Sequence, residues 1–375
     1  MSQRPEPPKQ GAGPVQKINI GVIGAGYWGP NLVRNFSCCP ETHVAVVCDP
    51  SARSRSKIEQ AFPDIPVTAD LEQVLSSSTV EAVAIATPVA SHFPIARAAL
   101  EAGKHVLVEK PLAGTVAEGE TLVALANEKQ LCLMCDHTFC YTGAVRKIKS
   151  YIDQNELGDL LYFDSVRVNL GLFQSDVNVL WDLCPHDLSI LDLLLPGGLR
   201  PDAVAAQGVD AMKAGFESIA YLTLFFDSGL IAHVHANWLS PVKVRTILIG
   251  GTQRMVVWDD NNPAERVKIY DKGVDVSNVD RDTCLVNYRH GDAQIPVLDT
   301  TEALALVAAS FSKAIRTGAS PVTDGESGLR VLRVLEAADQ SLREGGGRIK
   351  MRSAGAQERR GAEIRQSGER PDAHR

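Results

Sequence analysis

Long hydrophobic runs are missing from this sequence. No stretch of its 375 residues approaches the ~18 consecutive apolar side chains that a membrane-spanning helix requires. The opening segment, MSQRPEPPKQGAGPVQK, holds no apolar core of the kind a secretory signal needs, so a cytoplasmic protein is expected. Excess positive charge is missing too: 38 Lys and Arg stand against 45 Asp and Glu, for a formal net charge of -7. Without a basic field there is little to attract a phosphate polymer, which argues against nucleic acid and for a small ligand. A disulfide framework is also absent. The eight cysteines are scattered, two of them adjacent at Cys38 and Cys39, as suits reduced thiols. Cys132 and Cys135 form a CxxC, but in the short apolar run LCLMCD and with no second ligand pair, so no metal is expected. No repeat of the solenoid or propeller kind is visible.

What is present is an alternation. From Lys17 the chain reads as short apolar runs (KINIGVIG, HVAVVCD, VEAVAIATP, HVLVEKP, LCLMCD) separated by the amphipathic stretches Tyr27 to Cys38, Ser51 to Phe62, His92 to Gly103 and Thr115 to Gln130. Val- and Ile-rich strands alternating with helices argue for a parallel sheet covered on both faces, a doubly wound Rossmann domain over residues 17–140. After a helical stretch from Gly143 to Gln154 the pattern changes. LLYFDSVRVNLG, AYLTLFF, LIAHVHANW, VRTILIGG and QRMVVWDD follow one another with short turns, as in an open, mostly antiparallel sheet. With closing helices at Thr301 to Arg316 and Ser327 to Arg343, residues 141–350 are expected to form a second α/β domain. Its free sheet face invites a second subunit, so a homo-oligomer is expected. The Pro- and Gly-rich residues 1–16 and the polar residues 351–375 are expected to be disordered.

Within GVIGAGYWG, Gly24, Gly26 and Gly29 stand in GxGxxG spacing between a strand and a helix. Glycines there allow a tight turn and close backbone approach to a pyrophosphate, which the free N–H groups of the helix start would receive. The second strand ends at Asp49, 20 residues beyond Gly29, where a carboxylate accepts hydrogen bonds from the adenosine ribose. A turn that binds nothing is the plainer alternative, and the conjunction of strand, turn, helix and acid weighs against it. The expected cofactor is NAD, with Tyr27 and Trp28 of the same loop among the residues holding it. Arg53 and Arg55 leave NADP possible. Two later strand ends, ATPVASH and VEKPL, should also face the cofactor. There Lys110 would set an ammonium beside the nicotinamide, or else form a surface pair with Glu109.

The run WDLCPHDLSI carries Asp182 and His186 four residues apart, on one face if helical. Pro185 is tolerated in a first turn, so the helix is expected to begin near Asp182 or Leu183 and to stop before Pro196. His186 would then lie near the positive helix end, which favours neutral imidazole, with Asp182 fixing its tautomer. The alternative is a helix-capping Asp182 and an interior His186.

GVIGAGYWG, EKPLA and WDLCPHD, in this order and at these separations, resemble the Gfo/Idh/MocA family, which includes glucose-fructose oxidoreductase and inositol dehydrogenase. The resemblance runs from about Lys17 to Lys350. It implies NAD or NADP, a pyranose, cyclitol or nucleotide-sugar substrate, and dimers or tetramers. Carried over by motif, Lys110 would stabilise an alkoxide, Asp182 and His186 would match the DxxxH pair with His186 as general acid/base, and Thr87, Pro88 and His92 would line the cofactor, as would Glu109. GYWGPNLVRNF and VNVLWDLCPHDLSILDLLLP resemble members of surface-glycan biosynthesis, among them enzymes oxidising the 3-hydroxyl of a UDP-N-acetylhexosamine. Trp181, Arg167 and Arg289 are the candidate substrate contacts, the arginines for a diphosphate unless they form surface ion pairs. An inositol or free-sugar dehydrogenase, a keto-sugar reductase, a redox glycosidase and a non-enzymatic NAD(H) sensor remain alternatives.

Overall fold

The computed structural model describes residues 16–171, 177–280 and 285–351. The terminal segments expected to be disordered lie almost wholly outside the described residues. By its internal contacts the chain divides into two compact units: Met1–Glu109 with Thr121–Asp136 and Leu304–Asp324, and Lys110–Glu120 with His137–Ala303 and Gly325–Arg375.

The first unit is built on β1 (Ile18–Ile23), α1 (Gly29–Cys38), β2 (Thr42–Cys48), α2 (Ala52–Ala61), β3 (Val67–Thr68), α3 (Leu71–Leu75), β4 (Ala82–Ile85), α4 (His92–Glu101), β5 (His105–Glu109), most of α5 (Val116–Glu128) and β6 (Leu133–Asp136). The six strands lie in the order β3-β2-β1-β4-β5-β6, and every neighbouring pair is parallel. This is the dinucleotide-binding strand order, with its reversal between β1 and β4. The central strands β1, β4 and β5 are largely buried from both sides, β4 along its whole length, which is why they read as apolar runs rather than as alternation.

The second unit begins with α6 (Gly143–Asp153), β7 (Leu160–Leu170), α7 (Val179–Leu194), β8 (Ala203–Val209), β9 (Ile219–Phe225) and β10 (Ile231–Asn237). It continues with β11 (Leu239–Gly251), β12 (Met255–Asp259), β13 (Val267–Asp280) and β14 (Leu285–Gln294). α8 (Ala303–Thr317), α9 (Gly325–Arg343) and β15 (Ile349–Lys350) end the described chain. Nine strands form a sheet in the order β14-β13-β12-β11-β7-β10-β9-β8-β15, in which only β7 and β10 pair in parallel. α7 and α9 cover one face. Ala220, Leu222 and Leu224 of β9 and Ala232, Val234 and Ala236 of β10 are buried, whereas Tyr221 and Ile231, which alternate with them, are exposed on the other face.

One expected element belongs elsewhere. α8, read as a closing helix of the second domain, packs in the first unit: Phe311 meets Phe36 of α1 edge-on at 6.2 Å, and Ser312 donates to Glu41 at 2.8 Å. Its apolar stripe is as good a core face for one sheet as for the other, so periodicity cannot choose between them.

Candidate active site

In the first unit the glycine loop meets the steric demands of its spacing. Gly24 has φ +94°, and a Cβ there would stand 2.4 Å from the Ala86 carbonyl oxygen. A Cβ on Gly29 would stand 2.1 Å from the Gly24 carbonyl oxygen, so these two glycines are required by the fold itself. A Cβ on Gly26 would meet nothing within 4 Å. The protein does not need that glycine, whereas a pyrophosphate lying against the backbone does. α1 starts with no side-chain cap, which leaves its first amides for an anion. Asp49 is buried, its Oδ2 accepting from Ala25 N at 2.7 Å and its Oδ1 from Ser51 N at 2.8 Å. Arg55 donates to the Asp49 and Pro50 carbonyls at 2.8 and 2.9 Å. Tyr27 is exposed and Trp28 half-buried at the mouth of the same loop. Thr87 follows β4, with its methyl 2.9 Å from the Gly24 Cβ position; Pro88 is exposed beside it. His92 is buried, its Nε2 2.8 Å from the Thr87 carbonyl oxygen, and so shapes that turn from behind. Glu109, half-buried, closes β5.

The second unit gathers the candidate reactive groups. Lys110, directly after β5 in the chain, belongs to this unit by its contacts. Its Nζ donates to the Asp182 backbone carbonyl at 2.8 Å and lies 3.4 Å from Asp182 Oδ1. Asp182 Oδ2 accepts from Trp238 Nε1 at 3.0 Å. The lysine side chain is 21% and the aspartate 15% exposed, so the ammonium is held yet reachable.

α7 departs from expectation in three ways. It begins at Val179, because Asn178 caps it by accepting from Leu180 N and Trp181 N at 3.1 and 3.2 Å. Pro185 therefore lies inside the helix, where it removes the amide that would serve the Trp181 carbonyl. The Lys110 ammonium reaches the next carbonyl in this turn. Second, His186 is two turns from the helix start, so the terminal dipole does not reach it. Burial, reinforced by the positive charges of Lys110, Arg167 and Arg245, holds its imidazole well below the ordinary histidine range. The neutral imidazole expected from the sequence has a different cause, burial rather than the helix dipole. Third, Asp182 does not orient His186. Its carboxylate is taken by Lys110 and Trp238, and among the described residues the His186 ring makes no hydrogen bond; Phe139 packs edge-on against it at 5.0 Å between centroids.

The candidate substrate contacts are also revised. Arg167 is no surface residue: its Nε and a terminal nitrogen hold the two oxygens of Asp187 at 2.7 and 3.0 Å, with 6% and 1% of the side chains exposed. Ser165 donates to the same carboxylate at 2.8 Å. A guanidinium so enclosed has no free edge for a diphosphate. Trp181 is buried and donates to Asp339 Oδ2 of α9 at 2.7 Å, pinning the start of α7 rather than facing a ligand. Arg289 lies on edge strand β14, with three strands between it and β7, and forms an exposed pair with Asp271 at 3.0 Å. Sequence reasoning missed His137, Phe139, Trp238 and Arg245. His137 and Phe139 were within reach, because they follow β6 and strand ends in such sheets face ligands.

Comparisons with known proteins give the family. Residues 18–137 match the family described as an oxidoreductase family with an NAD-binding Rossmann fold, and residues 145–257 match the GFO/IDH/MocA C-terminal domain. The chain belongs to the Gfo/Idh/MocA family. It is 30% identical to UDP-N-acetylglucosamine 3-dehydrogenase of Acidithiobacillus ferrooxidans over 68% of this chain and 78% of that one. It is 26% identical to scyllo-inositol 2-dehydrogenase (NADP(+)) of Bacillus subtilis, over 88% of this chain and 95% of the relative. A solved structure of the Acidithiobacillus ferrooxidans dehydrogenase superposes with a TM-score of 0.73 and 27% identity, covering 88% of this chain and 98% of the other. As a Gfo/Idh/MocA protein the chain is an NAD(P)-dependent oxidoreductase whose first unit is the NAD-binding domain. Among the described residues no helix is long and apolar enough to cross a membrane, and no cluster of His, Cys, Asp and Glu side chains is placed to hold a metal ion.

Proposed function

We propose that this oxidoreductase oxidises a secondary ring hydroxyl of a sugar, a UDP-N-acetylhexosamine at its 3-position being the favoured substrate. The observation that carries the reaction is the tie of Lys110 to Asp182 on the helix that also bears a neutral, partly buried His186. NAD, when bound, supplies the hydride acceptor, and the Gly24 to Gly29 loop with Asp49 is suited to hold it. Lys110 donates to the reacting oxygen and stabilises the alkoxide as it develops. His186 takes the hydroxyl proton as the C–O bond becomes a carbonyl and the ring hydrogen departs with its electron pair. Asp182, held by Trp238, is a positioning residue that aims the ammonium. In the reverse direction His186 returns the proton to the carbonyl oxygen, so a keto-sugar reductase would use the same groups.

The nucleotide sugar is supported by the sequence resemblance and by the named activity of the Acidithiobacillus ferrooxidans relative. NAD is favoured over NADP because Asp49 would repel a 2′-phosphate and Arg55 is engaged by two carbonyls. Exposed Tyr221, Ile231 and Leu248 on the uncovered face of the nine-stranded sheet support pairing of two such faces in a cytoplasmic homodimer or tetramer.

The test is NADH formation by the purified protein across UDP-sugars, inositols and free hexoses. Lys110→Met and His186→Ala are each expected to lower kcat on the accepted substrate by roughly 10²- to 10⁴-fold. Near-normal turnover by either variant would overturn the assignment. A nitrophenyl glycoside cleaved without added cofactor would point instead to a redox glycosidase.

A further inference from the structure

Arg245 of β11 stands directly opposite Arg167 of β7 in the antiparallel register, so both side chains leave the sheet on the helix-covered face. Like charges facing each other across a ladder are destabilising unless each is neutralised. Arg167 is neutralised completely by Asp187. Arg245 is paired less tightly: its nearest carboxylate among the described residues is Asp260, an ion pair at 3.6 Å that is longer than a hydrogen bond. Asp260 is moreover shared with Arg266 at 3.9 Å. Lys110 and Asp182 pair with each other, so Arg245 has only a carboxylate that it divides with Arg266.

The Arg245 guanidinium packs against the same aromatic ring as the His186 imidazole. Its carbon lies 5.9 Å from the centroid of Phe139, and the same ring meets His186 at 5.0 Å. The two distances laid end to end set the greatest separation between guanidinium and imidazole. On its inner side the side chain is packed beside Trp258, Asp260 and Asp187, while 34% of it remains exposed. Burial and the neighbouring Arg167 both act against its charge, and a bound anion would relieve both.

We propose that Arg245 is the specificity residue for an anionic substituent of the substrate, a carboxylate or phosphoryl group on the sugar. This rests on the sugar-oxidising reading of the site. A neutral hydroxyl would leave the cation with only the carboxylate it shares with Arg266, whereas a planar carboxylate or a phosphoryl group matches the guanidinium fork.

The test measures binding by calorimetry to the NADH-loaded protein, so that no turnover is needed. The probes are N-acetylglucosamine, its uronic acid, its 1-phosphate and its UDP ester. The uronic acid carries a ring carboxylate, and the last two carry phosphoryl groups at C1. At least one anionic probe is expected to bind ten- to a hundred-fold more tightly than the neutral sugar, and Arg245→Gln to abolish that preference without weakening the neutral sugar. Arg245→Lys should retain part of it. Asp260→Asn, which removes the competing carboxylate, should preserve or increase it; a purely structural Arg245–Asp260 tie would make this variant as damaging as Arg245→Gln. Equal binding of neutral and anionic probes by the parent protein, or equal loss of both in Arg245→Gln, would overturn the proposal, as would no binding at all. An Arg245-dependent preference without NADH formation from any sugar would uphold the anion site and sink the oxidation chemistry.

Discussion

Lowering the pH should destabilise the fold through His137 by an amount that can be worked out. This imidazole is completely buried just beyond β6, and among the described residues neither ring nitrogen has a hydrogen-bond partner. Burial, with the Lys110 charge assisting and Asp192 opposing, moves its pKa down to about 4. In the unfolded chain the group titrates near 6.5. Because the folded value is the lower one, the unfolded state binds the extra proton. Stability is therefore intact above ~6.5 and is lost as the pH falls towards ~4. At pH 5 the unfolded imidazole is almost fully protonated and the folded one only about a tenth so, a loss of about 2 kcal/mol relative to pH 8. Urea unfolding of the parent protein and of His137→Phe at both pH values isolates this contribution. Any cost of fitting phenylalanine is present at each pH and cancels from the difference, and the other titrating groups are common to both proteins. The stability gap between parent and variant should shift by about 2 kcal/mol in favour of the variant at pH 5. If the two proteins lose stability in parallel from pH 8 to 5, the buried imidazole is not the acid-labile group and the reasoning fails.

Three further expectations follow from the same geometry. With His186 held below the ordinary histidine range, kcat/KM should stay level from pH 8 down through 6.5 and fall only below that; an acid limb centred above 6.5 would show another base at work. Gly26→Ala should weaken NAD binding in a fluorescence titration while leaving the melting temperature nearly unchanged, whereas Gly29→Ala should lower the melting temperature, because only the second Cβ collides with backbone. Asp187→Asn should destabilise by about 3–5 kcal/mol by stranding the buried Arg167 cation, and Arg167→Met with Asp187→Leu should recover much of that loss in a denaturant titration.

The doubly wound domain was readable along the chain because its signals are local. A parallel strand buried on both faces must be a run of Val, Ile and Ala, and the turn after β1 must spare a Cβ at Gly24 and Gly29. Asp49 was readable for the same reason, as the acid at the end of the next strand. The start of α7 was misjudged because Pro185 was taken as a first-turn residue. The Asn178 cap overrode that preference, and the helix tolerates the missing amide inside a packed unit. β8, β13, β14 and β15 went unread: β8 (AVAAQGV) and the outer pair carry too few large apolar residues to announce a buried face.

The residue types proposed for the chemistry, Lys110 and His186, and the glycine loop proposed to receive a dinucleotide are written in short stretches whose neighbours along the chain are also their neighbours in space. Their partners are not. Asp182 turns to Lys110 and Trp238 rather than to His186, Arg167 is closed off by Asp187, and Arg245 faces Arg167, all because distant segments meet in one sheet register and on one helix face. Charge compensation and burial depend on every group within a few ångströms, so which histidine stays neutral and which arginine is left over is decided only once the chain has folded.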